Sequence, residues 1–446
     1  MKTVITYGIF DLFHEGHERL LERAKKLGDR LIVGVTTDQY AIERGKLCVI
    51  DPLQVRMEHV RACPWVDQVI VEDHPGQKAE DIQRYRADIL AMGDDWLGKF
   101  DVLESLCQVV YLPRTPNISS SMLRCSRFPF LRLGLIGAGR IADRFVKEAG
   151  FVQGIQMNCV YHPRPDSSPS LQRFLSSHTS FVKVRTPEKL FDQSDAVYIA
   201  TPHEYHYDYT KAALQAGKHV LCEKPLCFSR AQAEELYSLA ENRGAVLMEA
   251  IKTAYCPGFL RLCAIAKSGF IGEIVNVESC FTRLTPPGCR EWNDRRYGGS
   301  FTELGSYILL PVVKLLGAKD MKVAFQSVRN ENGLDLFTKV CLQREGQLAG
   351  GRCGLGAKSE GDLVVSGTNG YLYVQAPWWK TQYFELRGED PAFKKRFVCD
   401  FEGEGLRYEI ADFLYRTQGY PGRELRLTPE ESIWMAGVME SFLKER

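Results

Sequence analysis

Two histidines, His14 and His17, stand three residues apart where the first apolar strand of the chain runs into a helix. A glycine-containing turn between a strand and a helix points backbone N–H groups at phosphate. Imidazole groups in such a turn suit nucleotidyl transfer, because charge that develops on phosphate oxygens is stabilised by positioned donors. An isolated pair of this kind is more often a surface feature, so a triphosphate site at these histidines needs the support of the motifs that follow.

A second phosphate-directed turn follows residue 130, where an apolar strand leads into Gly137 to Ile141 and then a helix. In this arrangement a dinucleotide pyrophosphate rests on the helix N-terminus. The glycines alone are a weak signal, since a tight strand–helix junction also uses them. Together the two turns predict two enzymes in series.

Alternation of strands and helices positions both turns. Short apolar strands alternate with helical segments over residues 1 to 124 and again from Leu131 to about Leu247, which is the rhythm of parallel sheets. From about Ile274 the pattern alternates and is richer in glycine, as in Leu363 to Val374, which predicts an antiparallel sheet. The predicted domains are 1–124, a linker at 125–130, 131–250 and 251–446.

Composition narrows the partners. The 446 residues carry a formal net charge of +1, which argues against nucleic acid or an anionic membrane as a bulk partner and leaves small metabolites. No apolar run approaches the length of a membrane span. The 14 cysteines form no C-x-x-C pair, so we expect free thiols and a cytoplasmic location. We also expect a homo-oligomer that binds small molecules.

Residues 1–124 resemble the glycerol-3-phosphate cytidylyltransferase family. The resemblance is carried by Ile5 to His17, Met92 to Trp96, Val110 to Thr115 and Ile118 to Ser121. It implies an H-x-G-H nucleotidyltransferase fold with a doubly wound parallel sheet, CTP with Mg²⁺ as substrate, and His14, His17 and Lys46 as catalytic residues. The CTP-binding residues it implies are Ile9, Phe10, His14, Gly16, His17, Lys46, Asp94, Arg114, Thr115, Ile118, Ser119, Ser120 and Ser121.

The same resemblance assigns Arg44 and Lys78 to the phosphate of the acceptor. Three positions depart from the family pattern: Ile9 stands where Thr is common, Arg44 replaces a Lys, and Pro64 stands where an Arg usually faces the nucleotide. Another nucleotide in place of CTP therefore stays open.

Residues 131–446 resemble the glucose–fructose oxidoreductase/inositol dehydrogenase family, through Ala196 to His206, Ala216 to Leu226 and Ser366 to Gly370. The resemblance implies a Rossmann domain, then an α+β domain with a large, mostly antiparallel sheet, and hydride transfer between a nicotinamide and a sugar or polyol carbon. Lys224 would polarise the carbonyl, Tyr307 would act as general acid and Glu303 would contact substrate hydroxyls. The cofactor-binding residues expected are Gly137, Ala138, Gly139, Arg140, Ile141, His162, Arg164, Thr201, Pro202, His206, Glu223 and Lys224.

Some assignments keep simpler alternatives. Tyr307 is also compatible with an aromatic core residue. His203 and His206 have the types of metal ligands but lack a third ligand at zinc spacing, so no metal held by protein side chains is assigned. The end of the second strand offers His162 and Arg164 but no acid until Asp166, which favours NADP over NAD, with NAD still possible.

A joint function links the two domains. Reduction of a ketose phosphate with NADPH gives an alditol phosphate, which CTP converts to a CDP-alditol (of the glycerol, ribitol or hexitol type) and pyrophosphate, for a cell-surface polymer such as capsule or teichoic acid. The alternatives are a non-catalytic sensor domain and a redox domain that acts on the CDP-linked product. Four arginines precede Glu303 and form either a phosphate clamp or a solvated loop: Arg283, Arg290, Arg295 and Arg296.

Overall fold

The protein is described from a computed structural model over residues 2–43, 49, 51–74, 76–113, 130–164, 166–319, 321–420, 422 and 425–446. Eight residues assigned above to nucleotide or acceptor sites lie outside these ranges: Arg44, Lys46, Arg114, Thr115, Ile118, Ser119, Ser120 and Ser121. The predicted linker also lies outside them, except for Phe130. The chain divides into two units, residues 1–130 and 131–446.

The first unit contains a five-stranded parallel sheet with the order β3-β2-β1-β4-β5. Its strands are β1 (Thr3–Gly8), β2 (Arg30–Thr36), β3 (Gln68–Glu72), β4 (Ile89–Gly93) and β5 (Gln108–Leu112). Its helices are α1 (Glu15–Lys25), α2 (Asp38–Glu43), α3 (Leu53–Ala62) and α4 (Gln77–Tyr85), with 3₁₀ turns at Asp94–Trp96 and Asp101–Ser105. Strand order reverses between β1 and β4, so the crevice where ligands bind in doubly wound sheets opens beside the loop after β1.

The second unit begins with a parallel sheet of order β12-β11-β10-β6-β8-β9, with β7 paired to β6. Its strands are β6 (Leu131–Ile136), β7 (Ile155–Gln156), β8 (Cys159–Tyr161), β9 (Val182–Val184), β10 (Ala196–Ile199), β11 (His219–Glu223) and β12 (Leu247–Ala250). Its helices are α5 (Arg140–Ala149), α6 (Pro169–Ser177), α7 (Pro187–Asp192), α8 (His206–Gln215) and α9 (Arg230–Asn242), with 3₁₀ turns at His203–Tyr205 and Lys252–Tyr255.

An eight-stranded sheet completes this unit, with the order β14-β15-β16-β13-β17-β18-β19-β20. Its strands are β13 (Ile274–Thr282), β14 (Lys322–Arg329), β15 (Asp335–Arg344), β16 (Gln347–Gly354), β17 (Leu363–Gly367), β18 (Gly370–Val374), β19 (Tyr383–Arg387) and β20 (Lys394–Val398). Its helices are α10 (Pro257–Lys267), α11 (Arg290–Asn293), α12 (Ser300–Leu316), α13 (Leu406–Thr417) and α14 (Pro429–Lys444), with a 3₁₀ turn at Trp378–Lys380.

These sheets confirm the predicted α/β class. Within the described strands of the large sheet, neighbours are antiparallel except β13 and β16, which run parallel. The alternating stretch from Leu363 to Val374 forms two strands of a hairpin, β17 and β18. No helix among the described residues is long and apolar enough to cross a membrane.

Helix α12 packs against one face of the large sheet, and this packing fixes its position. It packs against β13, β15 and β16 and is buried on nearly every side, as expected for a helix that is apolar all round. Asp335, at the start of β15, accepts a hydrogen bond from the Phe301 backbone N–H (2.8 Å), which caps the helix from outside. Gly299 precedes the helix at φ +104°, where a Cβ would lie 2.1 Å from the Asp335 carboxylate. This junction fixes the first turns of α12, which carry Glu303 and Tyr307.

Candidate active sites

The loop between β1 and α1 folds over its own strand. Phe10 and Leu12 both have positive φ, 55° and 48°, a conformation that costs free energy for residues with a Cβ. Both side chains are buried, so packing maintains the conformation. The loop is also tied to the start of α3, because Asp11 accepts a hydrogen bond from the Asp51 N–H (2.9 Å) and Asp51 accepts one from the Leu12 N–H (3.2 Å).

His14 and His17 lie together at the N-terminus of α1. His14 is the N-cap, and its Nδ1 accepts a hydrogen bond from the Gly16 N–H at 3.0 Å. The two imidazole rings stack with centroids 3.9 Å apart, and the Phe10 ring meets His17 edge-on at 5.4 Å. Burial lowers the pKa of His14, so its ring is neutral near pH 7 and its Nε2 carries the proton. The structure therefore brings both histidines and Gly16 to one helix start, next to Ile9 and Phe10.

A buried arginine that the sequence analysis missed supports this loop. Arg56 on α3 is fully buried. Its guanidinium donates to the carbonyl oxygens of Ile9 (2.5 Å), Thr36 (2.9 Å) and Asp51 (2.9 Å), and it also pairs with Asp38. A guanidinium is suited to this task because it has five donors in a fixed plane. The apolar pattern of α3 gave no signal for it, since a charged residue in a helix is normally read as surface.

Lys78 lies in a buried polar cluster rather than on the surface. Its ammonium pairs with Glu72 and sits 4.5 Å from the centroid of the Tyr7 ring. Glu72 also accepts a hydrogen bond from the Thr36 hydroxyl (2.6 Å). An acceptor phosphate would have to compete with Glu72 for this ammonium. Asp94 is exposed and follows β4, on the other side of the strand-order reversal.

In the glycine turn of the second unit, the backbone at Gly137 is packed against a neighbouring strand end, whereas the space beside Gly139 is open. A Cβ on Gly137, which has φ +102°, would lie 2.4 Å from the carbonyl oxygen of Ala200 after β10. A Cβ on Gly139 would meet nothing within 4 Å, which leaves room beside the first turn of α5. Ala138 is buried, and the Arg140 guanidinium reaches Glu291 at 3.3 Å. With Ile141 these residues form the start of α5, and in Rossmann domains the dinucleotide pyrophosphate binds at the equivalent helix start.

The end of β8 carries the residues expected to distinguish NADP from NAD. The His162 Nδ1 accepts a hydrogen bond from the Arg164 N–H at 3.1 Å, and burial lowers the pKa of His162. The Arg164 side chain is exposed. Asp166, the nearest acid, pairs with Lys183 at 2.8 Å. The local charge beyond this strand is therefore cationic.

The loop after β10 is fastened to the loop after β11. His206, fully buried at the start of α8, places Nδ1 2.7 Å from the Pro225 carbonyl oxygen and Nε2 3.0 Å from that of Thr201. Burial lowers the pKa of His206 to about 4. The neutral ring has one N–H, so it donates to one of these two carbonyls and packs against the other, which keeps the two loops together. Thr201 and the exposed Pro202 begin the first of them, and the Thr201 hydroxyl is buried with no hydrogen-bond partner among the described residues.

Lys224, Glu303 and Tyr307 meet as the sequence predicts. The Lys224 Nζ donates to the Glu303 carbonyl oxygen (2.8 Å), lies 3.5 Å from Glu303 Oε1 and sits 5.6 Å from the centroid of the Tyr307 ring. Burial raises the pKa of Glu303, but Lys224, His203 and two arginines outweigh it and hold that pKa at about 2. Burial, with Glu223, Glu409 and Glu303 nearby, raises the pKa of the Tyr307 hydroxyl. The group thus contains a cation, a fixed carboxylate and a protonated phenol.

His203 is a second residue that the site-residue predictions missed. It is buried, with Nε2 3.4 Å from Glu303 Oε2, and its ring lies edge-on to that of Phe228 at 5.8 Å. Burial lowers the pKa of His203 well below its usual value, so the ring is neutral. The neutral ring lies beside the Glu303 carboxylate. Among the described residues, no group of three or more His, Cys, Asp or Glu side chains is arranged to hold a metal ion.

Three buried carboxyl groups lie behind Lys224. Glu223 accepts a hydrogen bond from the Tyr198 hydroxyl (2.5 Å). Glu249 accepts one from the Leu226 N–H (3.0 Å), and burial raises the pKa of Glu249 to about 7. Glu409 on α13 is fully buried and has no hydrogen-bond partner for either carboxyl oxygen among the described residues. Burial, with Glu223 nearby, raises the pKa of Glu409 well above its usual value.

The four arginines before Glu303 separate into two pairs. Arg283 and Arg290 face Glu303, at 4.0 and 3.7 Å from its carboxylate oxygens. Arg295 instead donates to the Asn332 side chain (3.2 Å), and Arg296 lies 5.0 Å from the centroid of the Tyr297 ring. The run is thus partly at the site and partly a solvated loop.

The fold and these residues define a nucleotidyltransferase followed by a dinucleotide-dependent oxidoreductase, and comparisons with known proteins agree. Residues 5–126 match the cytidylyltransferase-like family, and residues 131–251 match the oxidoreductase family with an NAD-binding Rossmann fold. The glycerol-3-phosphate cytidylyltransferase of Bacillus spizizenii is 48% identical over 124 residues, which is 28% of this chain and 95% of that protein.

The second unit has relatives of its own. The trans-1,2-dihydrobenzene-1,2-diol dehydrogenase of Macaca fuscata fuscata is 31% identical over 289 residues, 63% of this chain and 86% of that protein. A 3-ketoreductase from Actinomadura kijaniata, solved with NADP and TDP-benzene, superposes with a TM-score of 0.60 at 25% identity over 70% of this chain and 96% of its own. The chain therefore belongs to the cytidylyltransferase-like family in its first part and to the NAD-binding Rossmann oxidoreductase family in its second, and it is a bifunctional enzyme.

Proposed function

We propose that the protein makes a CDP-alditol in two steps. The second unit reduces a ketose phosphate to an alditol phosphate, consuming one NADPH and one proton and forming one C–H and one O–H bond. In the first unit a phosphate oxygen of this product attacks the α-phosphorus of CTP. The bond to pyrophosphate breaks and the CDP-alditol leaves. Such products feed phosphodiester-linked cell-surface polymers, in line with the glycerol phosphate named for the relative of the first unit.

The meeting of Lys224, Glu303 and Tyr307 carries the proposal for reduction. When bound, the reduced nicotinamide supplies a hydride. The Lys224 ammonium, 2.8 Å from the Glu303 carbonyl, polarises the substrate carbonyl, as a positioned cation does for a developing alkoxide. Tyr307 gives its hydroxyl proton to that oxygen and is reprotonated from solvent, because its raised pKa keeps it in the phenol form. Glu303 stays ionised and accepts hydrogen bonds from substrate hydroxyls.

The turn after β6 supports a dinucleotide, and the end of β8 supports NADP. Open space at Gly139 lies beside the start of α5, and a pyrophosphate is stabilised there by helix N–H groups. Arg164 and His162 suit a 2′-phosphate, whereas Asp166, the first carboxylate after β8 among the described residues, is paired with Lys183. The relative solved with NADP agrees with this choice.

Transfer rests on His14 and His17. Their stacked rings at the start of α1 direct two donors and a helix N-terminus towards one phosphate group. Lys46, Arg114 and Ser119 to Ser121, outside the described residues, complete the proposed CTP site. Mg²⁺ is proposed as a partner of the CTP phosphates, since this ion is commonly held through substrate phosphates.

A second candidate order of steps has one observation in its favour. The 3-ketoreductase that resembles the second unit was solved with a TDP-linked compound. The redox unit of this chain would then act on a CDP-linked ketose after transfer. The third candidate, a non-catalytic sensor, leaves the Lys224, Glu303 and Tyr307 group without a task.

One experiment separates the three. The purified protein is mixed with NADPH and a ketose phosphate, and NADPH absorbance is followed before and after addition of CTP. Loss of NADPH without CTP is the result expected for the proposed order. Loss only after CTP supports reduction of a CDP-linked ketose, and no loss in either phase supports the sensor.

A further inference from the structure

We infer that Arg283 and Arg290 bind the phosphate of the redox substrate, and that their closeness to Lys224 selects a three-carbon ketose phosphate. This inference rests on the proposed function and adds a phosphate-binding site and a chain length to it. The site lies between the end of β13, helix α11 and the first turn of α12.

Arg283 follows β13 and has donors to spare. Its side chain is 46% exposed, and its nearest carboxylate oxygens, on Glu291 and Glu303, are 3.9 and 4.0 Å away. Both distances exceed a hydrogen bond. Among the described residues its guanidinium makes no hydrogen bond, although a guanidinium has five N–H donors. An anion that arrives here gains charge-assisted hydrogen bonds and breaks none.

Arg290 begins α11 and faces the same carboxylate. Its Nη2 lies 3.7 Å from Glu303 Oε2, and its Nη1 lies 3.5 Å from an oxygen of Asp294. The other Asp294 oxygen accepts hydrogen bonds from the backbone N–H groups of Arg296 and Tyr297, both at 3.0 Å. Asp294 thus mainly stabilises the backbone turn that follows it. Like Arg283, Arg290 therefore keeps N–H donors that face Glu303.

The local charge favours an anion. Four cations gather around the site and three carboxylates face them, while burial raises the pKa of each of the three carboxyl groups behind Lys224 and so reduces their negative charge. The cations are Arg140, Lys224, Arg283 and Arg290, and the carboxylates are Glu291, Asp294 and Glu303. Two guanidiniums suit phosphate, because each can donate two parallel hydrogen bonds to its oxygens.

Distance limits the length of the ligand. Lys224 Nζ and Arg283 Nη2 lie 3.5 and 4.0 Å from the same oxygen, Glu303 Oε1, so they are at most about 7.5 Å apart. When both donors point to the same side, a substrate that accepts a hydrogen bond of about 2.8 Å from each holds its carbonyl and phosphate oxygens within about the same distance, which leaves room for only a few bonds of about 1.5 Å between them. Three bonds join the carbonyl carbon to phosphorus in a three-carbon 2-ketose phosphate, and five do so in a five-carbon one. The shorter chain fits without curling.

The chain provides matched controls in Arg295 and Arg296. They belong to the same basic run, but they contact Asn332 and Tyr297 instead of Glu303. Substituting them changes the net charge of the loop by the same amount as substituting Arg283 or Arg290. An effect confined to the latter two therefore reports on the site and not on the general field.

The test is NADPH oxidation by the full-length protein with dihydroxyacetone phosphate, dihydroxyacetone and ribulose 5-phosphate. We expect dihydroxyacetone phosphate to have the highest kcat/KM of the three. Arg283→Ala and Arg290→Ala should each lower its kcat/KM about 100-fold, mainly through KM, because each removes charge-assisted hydrogen bonds. The value for dihydroxyacetone should fall far less, and all values should stay unchanged in Arg295→Ala and Arg296→Ala.

NADPH binding, measured by cofactor fluorescence, checks that each variant is folded. If Arg283→Ala is not folded, Arg283→Lys, which keeps the charge but not the planar guanidinium, is used in its place. Equal losses on phosphorylated and unphosphorylated ketone, or a preference for ribulose 5-phosphate, would overturn the inference while leaving ketose phosphate reduction in place. If the wild-type protein oxidises NADPH with neither phosphate ester, the proposed function fails and the inference fails with it.

Discussion

Replacing Lys224 with methionine should stop ketone reduction and leave cytidylyl transfer intact. Methionine keeps most of the volume of a side chain that is only 11% exposed, so the main loss is the charge. Removal of one donor to a developing oxyanion typically costs about 3–4 kcal/mol, or about 10²–10³ in kcat. Here the same change also takes from Glu303 a cation 3.5 Å away, so we place the loss at the upper end, about 10³.

The structure gives this variant a second signature. The pKa of Glu303 is held at about 2 against burial by Lys224, His203 and two arginines. Without Lys224 that pKa rises, and the carboxylate is lost at a higher pH as the solution is acidified. Residual activity should therefore fall off at a higher pH on the acid side than wild-type activity does.

The assay is NADPH absorbance with a ketose phosphate, and pyrophosphate release from CTP plus alditol phosphate serves as the control for the first unit. Lys211→Met is the matched lysine control, since Lys211 pairs with Glu235 at 2.6 Å, away from Glu303. If Lys224→Met reduces the ketone at a rate within about tenfold of wild type, the assigned role is refuted, because loss of an oxyanion donor typically lowers kcat by about 10²–10³.

Four other predictions follow from the same structure. His17→Ala should lower pyrophosphate release at least about 10³-fold without changing NADPH oxidation, since it removes a phosphate-directed donor, while His74→Ala, an exposed histidine, should change neither; near-normal release would remove His17 from the site. Tyr307→Phe should slow reduction less than Lys224→Met, and unchanged kcat would leave Tyr307 a core residue. Arg56→Met leaves three backbone carbonyls without their donor, so the free energy of unfolding of the first unit should fall by about 3 kcal/mol or more, while that of the second unit stays the same. An unchanged thermal unfolding transition of the first unit would contradict the role of Arg56 in supporting the loop. Glu249 has its pKa raised from 4.5 to about 7, so the folded protein binds the extra proton and the free energy of unfolding of the second unit should fall by about 3 kcal/mol as pH rises through that window; Glu249→Gln should abolish this fall, and an identical pH profile in both proteins would show that the carboxyl is not buried in the way described.

Much of the fold was predictable because its signals are local. Strands such as β2 and β11 were predictable, since parallel strands buried on both faces show as short apolar runs bounded by turns. The division of Leu363 to Val374 into a hairpin was not predicted. The reason is that the two-residue hydrophobic alternation continues across Thr368-Asn369, which form the turn between β17 and β18. The parallel pairing of β13 with β16 joins strands more than 60 residues apart, and nothing in either strand encodes that partner.

The site was predictable where a motif carries it and not where the fold assembles it. Lys224, Glu303 and Tyr307 come from two motifs, and the structure brings them together. Arg56 and His203 were missed as site residues because their importance lies in what surrounds them. Arg56 donates to the backbone carbonyls of two loops and of the end of β2, and His203 reaches a carboxylate on a distant helix. Separation of Arg283 from Arg295 likewise depends on how residues 283–299 fold, which composition does not reveal.

The central claim, that one chain reduces a ketose phosphate and then links it to CMP, is tested most directly by following deuterium. The protein is incubated with dihydroxyacetone phosphate, CTP, Mg²⁺ and NADPH deuterated at the transferred position, and the products are examined by mass spectrometry. We predict a CDP-alditol that carries one deuterium on the new carbinol carbon, and free deuterated alditol phosphate when CTP is omitted. A CDP-linked product without deuterium, or no reduced product in either mixture, would contradict the account.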